Sequence, residues 1–404
     1  MELELTDDQR LFHETSRKFL DATMATAAVR ALAADPDGFD RAWWRSGAEL
    51  GWTSLLVDGA HGGGAISGSG LADLAIVAEE LGRHVAPGPL LAVNVVANAV
   101  SRLGSADQQA AVLPGLLDGS QLATWCVRDH GRKWTGPSAS TATAPTGPRR
   151  AEAQTKSEPA AVASARGVGF EINAKKVMVE AGAQADWLLV TAATAAGPTQ
   201  FLLPSTTAGI EITPSTSVDL VRRYATVRFN GVQVGLDAVL GTVGHAAQDI
   251  ERQLQVALVL QCAEMTGAAG KVFEFTCEYA TDRYSFGRPL ASYQALKHRF
   301  ADMKTWLEAS YATTLAAAAA VHAQGPDAPR LASVAKAYVA DRTPEIIHDC
   351  IQMHGGIGVT WEHDLHLYLR RVTLMRAMYG TPDEHRERIA TIVIEREDAA
   401  DGNR

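Results

Sequence analysis

A chain of 404 residues with 47% hydrophobic and 21% charged residues can build two or three domains with ample cores, which excludes an intrinsically disordered protein. Its formal net charge of −9 is the wrong sign for phosphate backbones and argues against a nucleic-acid binder. The start, Met1-Glu2-Leu3-Glu4-Leu5, has neither a basic nor an apolar leader region, and no later run reaches about 18 uninterrupted apolar residues, so the expectation is a cytoplasmic protein with no membrane span.

Thr6, followed by Asp7, Asp8 and Gln9, is an N-cap with acidic residues in the first turn, and Leu11, Phe12, Thr15, Phe19 and Leu20 recur at helical spacing behind it. A second helical pattern covers 39–50 and ends at Gly51. The glycine-rich run 59–65 lacks the Lys-Ser/Thr pair of a phosphate loop and reads as a plain loop. Helices are expected over 71–81, closed by Gly82, and over 90–103, closed by Gly104. From Ala123 the apolar period changes to two, which predicts strands at 123–127, 169–172, 187–190, 200–203 and 226–229. Between the first two, 135–165 is rich in Pro, Ala, Ser and Thr and reads as a mobile surface excursion.

The helical period returns after Gly241. A helix apolar over most of its circumference, with small residues along it, runs from about Ile250 to Asp282 and must pack on several neighbours. Further helices are expected over 296–323, 331–354 and 385–397. Cys126, Cys262, Cys277 and Cys350 lie far apart and fit reduced, mostly buried thiols. His363 and His366 are three apart, but no third ligand has recognisable spacing, so no metal site is expected. Arg370-Arg371 reads as a solvated or salt-bridged helix face, and His298 and His348 as core or interface residues.

Between the first two long helices of this half, Arg283-Tyr284-Ser285-Phe286-Gly287-Arg288-Pro289 forces a break, placing a guanidinium and an aromatic ring where they can reach an anionic or planar ligand. Gln352-Met353-His354-Gly355-Gly356-Ile357-Gly358 and Tyr379-Gly380-Thr381 follow. In this order and spacing the segments resemble the acyl-CoA dehydrogenase family, most strongly over 249–397. The resemblance implies an α+β fold with an N-terminal helical domain (1–120), a middle β-barrel-like domain (121–243) and a C-terminal four-helix bundle (244–404). It also implies an FAD-dependent α,β-dehydrogenation of an acyl-CoA thioester. A glutamate removes the α-proton while the β-hydrogen leaves as hydride to the flavin.

Residue by residue, Arg283 would reach a neighbouring subunit's FAD pyrophosphate, Phe286 and Gln294 would hold the adenosine side, and Gln352, Gly355 and Gly356 would complete that half-site, with Thr381 near the cofactor. Leu90, Leu91, Val95 and Val96 are candidate liners of an acyl pocket. The implied partners are a homo- or heterotetramer with a second acyl-CoA dehydrogenase-like chain and an electron-transfer flavoprotein as acceptor.

Two family features are absent. Tyr379 stands where a glutamate base usually precedes Gly-Thr, and a phenol with a reference pKa of about 10 is a poor base near neutrality. Some members carry the base on the first bundle helix, where this chain has Gln255-Val256-Ala257; the nearest carboxylates are Glu251 and Glu264. The second absence is the Thr-Glu-Pro-x-Ala-Gly-Ser-Asp stretch that contacts the flavin ring, replaced here by Trp125-Cys126-Val127-Arg128-Asp129-His130-Gly131. This asymmetry resembles the non-catalytic subunit of heteromeric dehydrogenases acting on steroid side chains. The alternatives are a self-sufficient homotetramer using Glu251, Glu264 or Tyr379 as an unusual base, and a flavin-free scaffold for a partner enzyme.

Overall fold

The computed structural model describes residues 5–132, 162–166 and 169–401. Six helices come first: α1 (Asp7–Thr23), α2 (Thr26–Leu32), α3 (Arg41–Glu49), α4 (Gly70–Arg83), α5 (Leu90–Leu103) and α6 (Ala106–Leu117). The local signal at Thr6 is realised as a reciprocal capping box with Gln9, which satisfies two otherwise unpaired backbone donors. Leu90, Leu91, Val95 and Val96 are all fully buried in the core.

Gly82 does not end a helix. It lies inside α4, and a Cβ there would stand 1.9 Å from the carbonyl oxygen of Glu264, while one at Gly267 would stand 2.1 Å from that of Glu79. The two glycines therefore let α4 and the long bundle helix cross backbone to backbone, and any side chain at either position forces them apart.

The middle of the chain forms a mixed sheet from β1 (Ala123–Cys126), β2 (Val162–Arg166), β3 (Gly169–Glu180), β4 (Trp187–Thr194), β5 (Gly197–Pro204), β6 (Ile210–Ser215), β7 (Tyr224–Gly235) and β8 (Val239–Leu240). The spatial order is β6-β7-β3-β2-β4-β5-β8, with β1 parallel to β4. Among the described residues the end strands do not pair with one another, so the sheet is open where a barrel-like closure was expected. β1 and β2 lie against the same edge of β4, β1 along 187–190 and β2 at Ala193. The surface excursion expected over 135–165 falls outside the described residues up to 161, and 162–165 belong to β2.

Strand alternation sorts the sheet's side chains between two cores. Cys126, Leu188, Val190, Phe201 and Leu203 fill the sheet's own core, while Trp125, Leu189, Leu202 and Tyr224 face the helices. This period of two is what aims Trp125 at the bundle.

Behind the sheet come α7 (Ala247–Asp282), α8 (Gln294–His322), α9 (Ala328–His354), α10 (Leu365–Ala377) and α11 (Pro382–Asp401). α7 is the one described helix long and apolar enough to cross a membrane, but its most apolar window is 89% buried inside the fold. α10 is an additional helix that the apolar periodicity did not announce. Lys336 on α9 is fully buried and donates to Gln261 on α7 and to the Met375 carbonyl on α10. Burial pushes its ammonium down to about 7.

α1 is fastened to α4 by polar contacts. Gln9 donates to Asp73 at 2.8 Å, and His13 and Arg17 each reach the buried Glu80 carboxylate at 2.7 Å. Burial pushes Glu80 up, but the hydrogen bonds from His13 and Arg17 outweigh it and hold the carboxyl at about 2. A depressed carboxyl contributes stability above its unfolded value, near 4.3, and loses it as the pH falls toward the folded value. Replacing Glu80 by Gln should cost about 2–3 kcal/mol at pH 7 in urea denaturation. The gap to the wild type should close as the pH is lowered from about 4.3 toward 2; a gap independent of pH would show that the carboxylate charge is not what holds α1.

Candidate functional site

α7 ends at Asp282, and Arg283 caps it with extended backbone. The next residues form a two-stranded ribbon, β9 (Tyr284–Ser285) against β10 (Arg288–Pro289), whose tip residues Phe286 and Gly287 both have positive φ, at 50° and 80°. Tyr293 donates to the Ser285 carbonyl at 2.7 Å, and Arg288 stacks on the Tyr293 ring at 3.8 Å, so the tip is held from below. Phe286 is 98% exposed, and among the described residues no acid pairs with the exposed Arg283 guanidinium.

The glycine loop lies at the same end of the bundle. Tyr279, in the last turn of α7, stacks on His354, the last residue of α9, with ring centroids 4.2 Å apart. Gly355 has a φ of 64°, which explains it as a glycine; Gly356 has no positive φ, and a Cβ there would meet nothing within the chain. Nothing internal requires Gly356 to lack a side chain, whereas close approach by an outside group would. Gln352 and Gln294 are exposed beside these elements, with Ile357, Val359 and Trp361 as apolar neighbours in the chain.

His363 sits edge-on to His354 at 4.7 Å, and His366 stacks on Trp361 at 4.5 Å, so the two histidines serve different ring clusters. His298 and His348 are exposed in this chain rather than in its core. Cys126, Cys262 and Cys350 are buried and free, and burial pushes each thiol up to about 12.

Tyr379 lies beyond the opposite end of α10, roughly 18 Å along that helix from the glycine loop. Its φ is 56°, an uncommon setting for an aromatic residue. The turn is held because His385 bonds the Tyr379 carbonyl at 3.0 Å and because Thr381 and Glu384 form a reciprocal cap on α11. Thr381 thus has a helix-capping task in addition to any ligand contact. The Tyr379 ring stacks on Trp125, with centroids 6.0 Å apart and planes within 18°. Both are buried, at 7% and 4% exposure, and the void left among Trp125, Val127, Met178, Met378 and Tyr379 is about 10 Å³, room for about one water. Burial, reinforced by the charge of Glu180, pushes the phenol well above its ordinary value.

The two carboxylates singled out from the sequence are both engaged. Glu251 accepts from Gln255 at 2.7 Å and pairs with Arg388 of α11. Glu264 is 3% exposed and receives both oxygens' worth of bonds from Arg222, at 2.6 and 2.7 Å, plus one from Arg371 at 2.6 Å. Arg222 also pairs with Glu180, and Arg371 with Asp219. Of the two readings of Arg370-Arg371, Arg371 is the salt-bridged one, but as a wholly buried member of a five-residue charge network rather than on an outer helix face, while Arg370 beside it lies over Trp361. Burial raises Asp219, but Arg371 outweighs it and the carboxyl lies below its ordinary value; Glu180, whose burial outweighs Arg222, lies above. Sequence patterning could not find this network, whose partners stand 42, 107 and 152 positions apart.

Residues 6–120 match the acyl-CoA dehydrogenase N-terminal domain, and residues 247–394 match the acyl-CoA dehydrogenase C-terminal domain. The chain belongs to the acyl-CoA dehydrogenase family. It is similar to acyl-CoA dehydrogenase IpdE2 of Mycobacterium tuberculosis, with 30% identity over 392 residues that span 96% of this chain and 98% of that one. A variant of the Tcur3481-Tcur3483 steroid ACAD superposes with a TM-score of 0.83 at 26% identity, over 97% of this chain and 99% of that one. A chain of the ChsE4-ChsE5 complex from Mycobacterium tuberculosis shares the fold, with a TM-score of 0.82 at 23% identity over 98% and 99% of the two chains.

Acyl-CoA dehydrogenases are flavin oxidoreductases, and the flavin supplies the hydride acceptor. The residues of this acyl-CoA dehydrogenase fit that cofactor unevenly. The Arg283 ribbon and the glycine loop offer a guanidinium without an acidic partner among the described residues, an exposed ring and an uncrowded backbone. Trp125 and Tyr379, the residues singled out where the sequence departs from the family pattern, are instead buried and stacked on one another, and among the described residues the void beside them is about 10 Å³.

The network yields a prediction about stability. Glu264→Gln leaves two buried guanidiniums short of charge and should lower unfolding stability by about 3–5 kcal/mol. Arg283→Ala, on the exposed tip, should stay within about 0.5 kcal/mol of the wild type. Urea denaturation of both variants checks this, and near-equal midpoints for Glu264→Gln and wild type would contradict it.

Proposed function

We propose that this chain is the subunit of an FAD-dependent acyl-CoA dehydrogenase that contributes phosphate-side contacts to a flavin bound mainly by a second, related chain. That second chain brings the base and the flavin-ring contacts for α,β-dehydrogenation of an acyl-CoA thioester. The observation that carries this reading is the buried Trp125–Tyr379 stack, formed by the two residues that stand where the family pattern would have its flavin-ring stretch and its glutamate. The state of the carboxylates supports it. Glu264 is paired with two arginines, Glu251 is paired with Arg388, and the Tyr379 phenol is further from a base than a free tyrosine.

In the assembly, Arg283 neutralises pyrophosphate charge, Phe286 and Gln294 pack on the adenosine side, and Gln352, Gly355 and Gly356 admit the phosphates to the backbone, with Thr381 beside the cofactor. The similarity to a steroid ACAD favours a steroid-derived acyl group. An electron-transfer flavoprotein is the acceptor, and the assembly works in the cytoplasm.

Two substitutions test the assignment in the assembled enzyme. Arg283→Ala should weaken flavin retention tenfold or more, because a charge-assisted bond contributes roughly 1.5–3 kcal/mol. Unchanged flavin content would remove Arg283 from the site. Tyr379→Phe should alter turnover only a few-fold, whereas loss of a general base costs on the order of 100-fold or more. A collapse of turnover with flavin and substrate still bound would place the base in this chain and favour a self-sufficient homotetramer.

A further inference from the structure

A second concavity opens where the loop between α3 and α4 meets the C-terminal part of α5, the N-terminal part of α7 and the end of α8. Its volume is about 620 Å³, within the range of roughly 300–1,000 Å³ typical of small-molecule sites, and neither Trp125 nor Tyr379 lines it. The loop is tied down on one side: Asn98 donates to the Leu56 carbonyl at 2.7 Å, and the Asp58 amide donates to Ser101 at 3.1 Å. The cleft is therefore built into the resting fold.

Its lining has two characters. Leu55, Val57, Leu71 and Val256 are buried side chains that give an apolar floor. Arg102 and Arg252 line the same cleft. Among the described residues neither arginine makes a salt bridge. The Nη1 of Arg252 donates to the Val321 carbonyl at 3.4 Å, and its Nε is buried without a partner. Burial, and then repulsion from Arg102, pushes Arg252 down to about 10. The acid that acts on both is Asp249, and burial lifts its carboxyl in spite of them. Asp58, also on the lining, spends its carboxylate on the Ala60 amide at 2.8 Å. Two like charges are thus held together over an apolar floor with an unused buried donor, an arrangement that an anion relieves and a cation or neutral ligand does not.

We propose that this cleft binds an amphipathic carboxylate, its apolar body on the Leu55, Val57, Leu71 and Val256 floor and its carboxylate between Arg102 and Arg252. The site is separate from the flavin half-site and does not depend on the partner-chain reading.

The test is isothermal titration of the purified full chain, in its assembled state, with octanoate, octan-1-ol and inorganic phosphate. Octanoate should saturate one site, with the alcohol and phosphate each at least about tenfold weaker, since each lacks one of the two recognised features. Arg102 is exposed, so Arg102→Gln should keep the fold and its melting temperature while weakening octanoate about tenfold; Arg252→Gln should do the same from the other wall. Flavin content should be unchanged in both variants. No saturation by octanoate in the millimolar range, equal affinity for octan-1-ol or for phosphate, or octanoate affinity unchanged in both variants would each overturn the proposal.

Discussion

Glu264, gripped by Arg222 on one side and Arg371 on the other, is the contact on which the arrangement of this acyl-CoA dehydrogenase depends. It joins α7 to the segment before β7 and to α10, and through Arg222 and Arg371 it reaches Glu180 at the end of β3 and Asp219. Desolvating five charges is costly, and the cost is offset only because nearly every oxygen and nitrogen has a partner at bonding distance. The α4–α7 crossing at Gly82 and Gly267 seats the Glu264 backbone directly under α4, so the N-terminal helices are registered by the same point. Once sheet and bundle are locked in this way, strand alternation on β1 and the left-handed turn after α10 bring Trp125 and Tyr379 face to face.

That geometry divides the chain's resources. One end of the bundle presents an arginine that no acid pairs with among the described residues, an exposed phenylalanine, and a glycine at which a Cβ would meet no described atom within 4 Å. The other end, beyond α10, is packed shut by two aromatic rings. The two carboxylates singled out as alternative bases, Glu251 and Glu264, are both engaged by arginines. We propose on this basis that the chain completes a neighbour's cofactor site rather than holding a flavin ring of its own. This is why the proposed function assigns the base to a second chain.

Features encoded locally were readable in the sequence. The Thr6 cap, the break at Gly287 and Pro289, and the apolar circumference of α7 depend on residues within a few positions of one another. The helical, then β, then helical order was readable for the same reason. Features that depend on distant partners were not. Arg371 looks like a surface residue because its acids are far away in the chain, and α10 lacks a clean apolar stripe because that buried arginine occupies its inner face. Gly82 mimics a helix stop, since a glycine near the end of an apolar pattern looks alike whether it caps the helix or admits another backbone. β2, β6 and β8 are short or edge strands with weak alternation, and an open sheet cannot be told from a closed one by strand count. In the candidate site, the replacement of the expected glutamate by Tyr379 was visible, but its stacking on Trp125, some 250 positions away, was not.

The central claim, that this chain's own ring position is filled and its flavin contacts serve another chain, is tested most directly by flavin stoichiometry. The chain is purified alone and then co-purified with a second acyl-CoA dehydrogenase-like chain, and bound FAD is quantified by absorbance against protein concentration. The account predicts no stoichiometric flavin on the isolated chain and one flavin for each pair of unlike chains in the assembly. A homomer carrying one flavin per chain would contradict it.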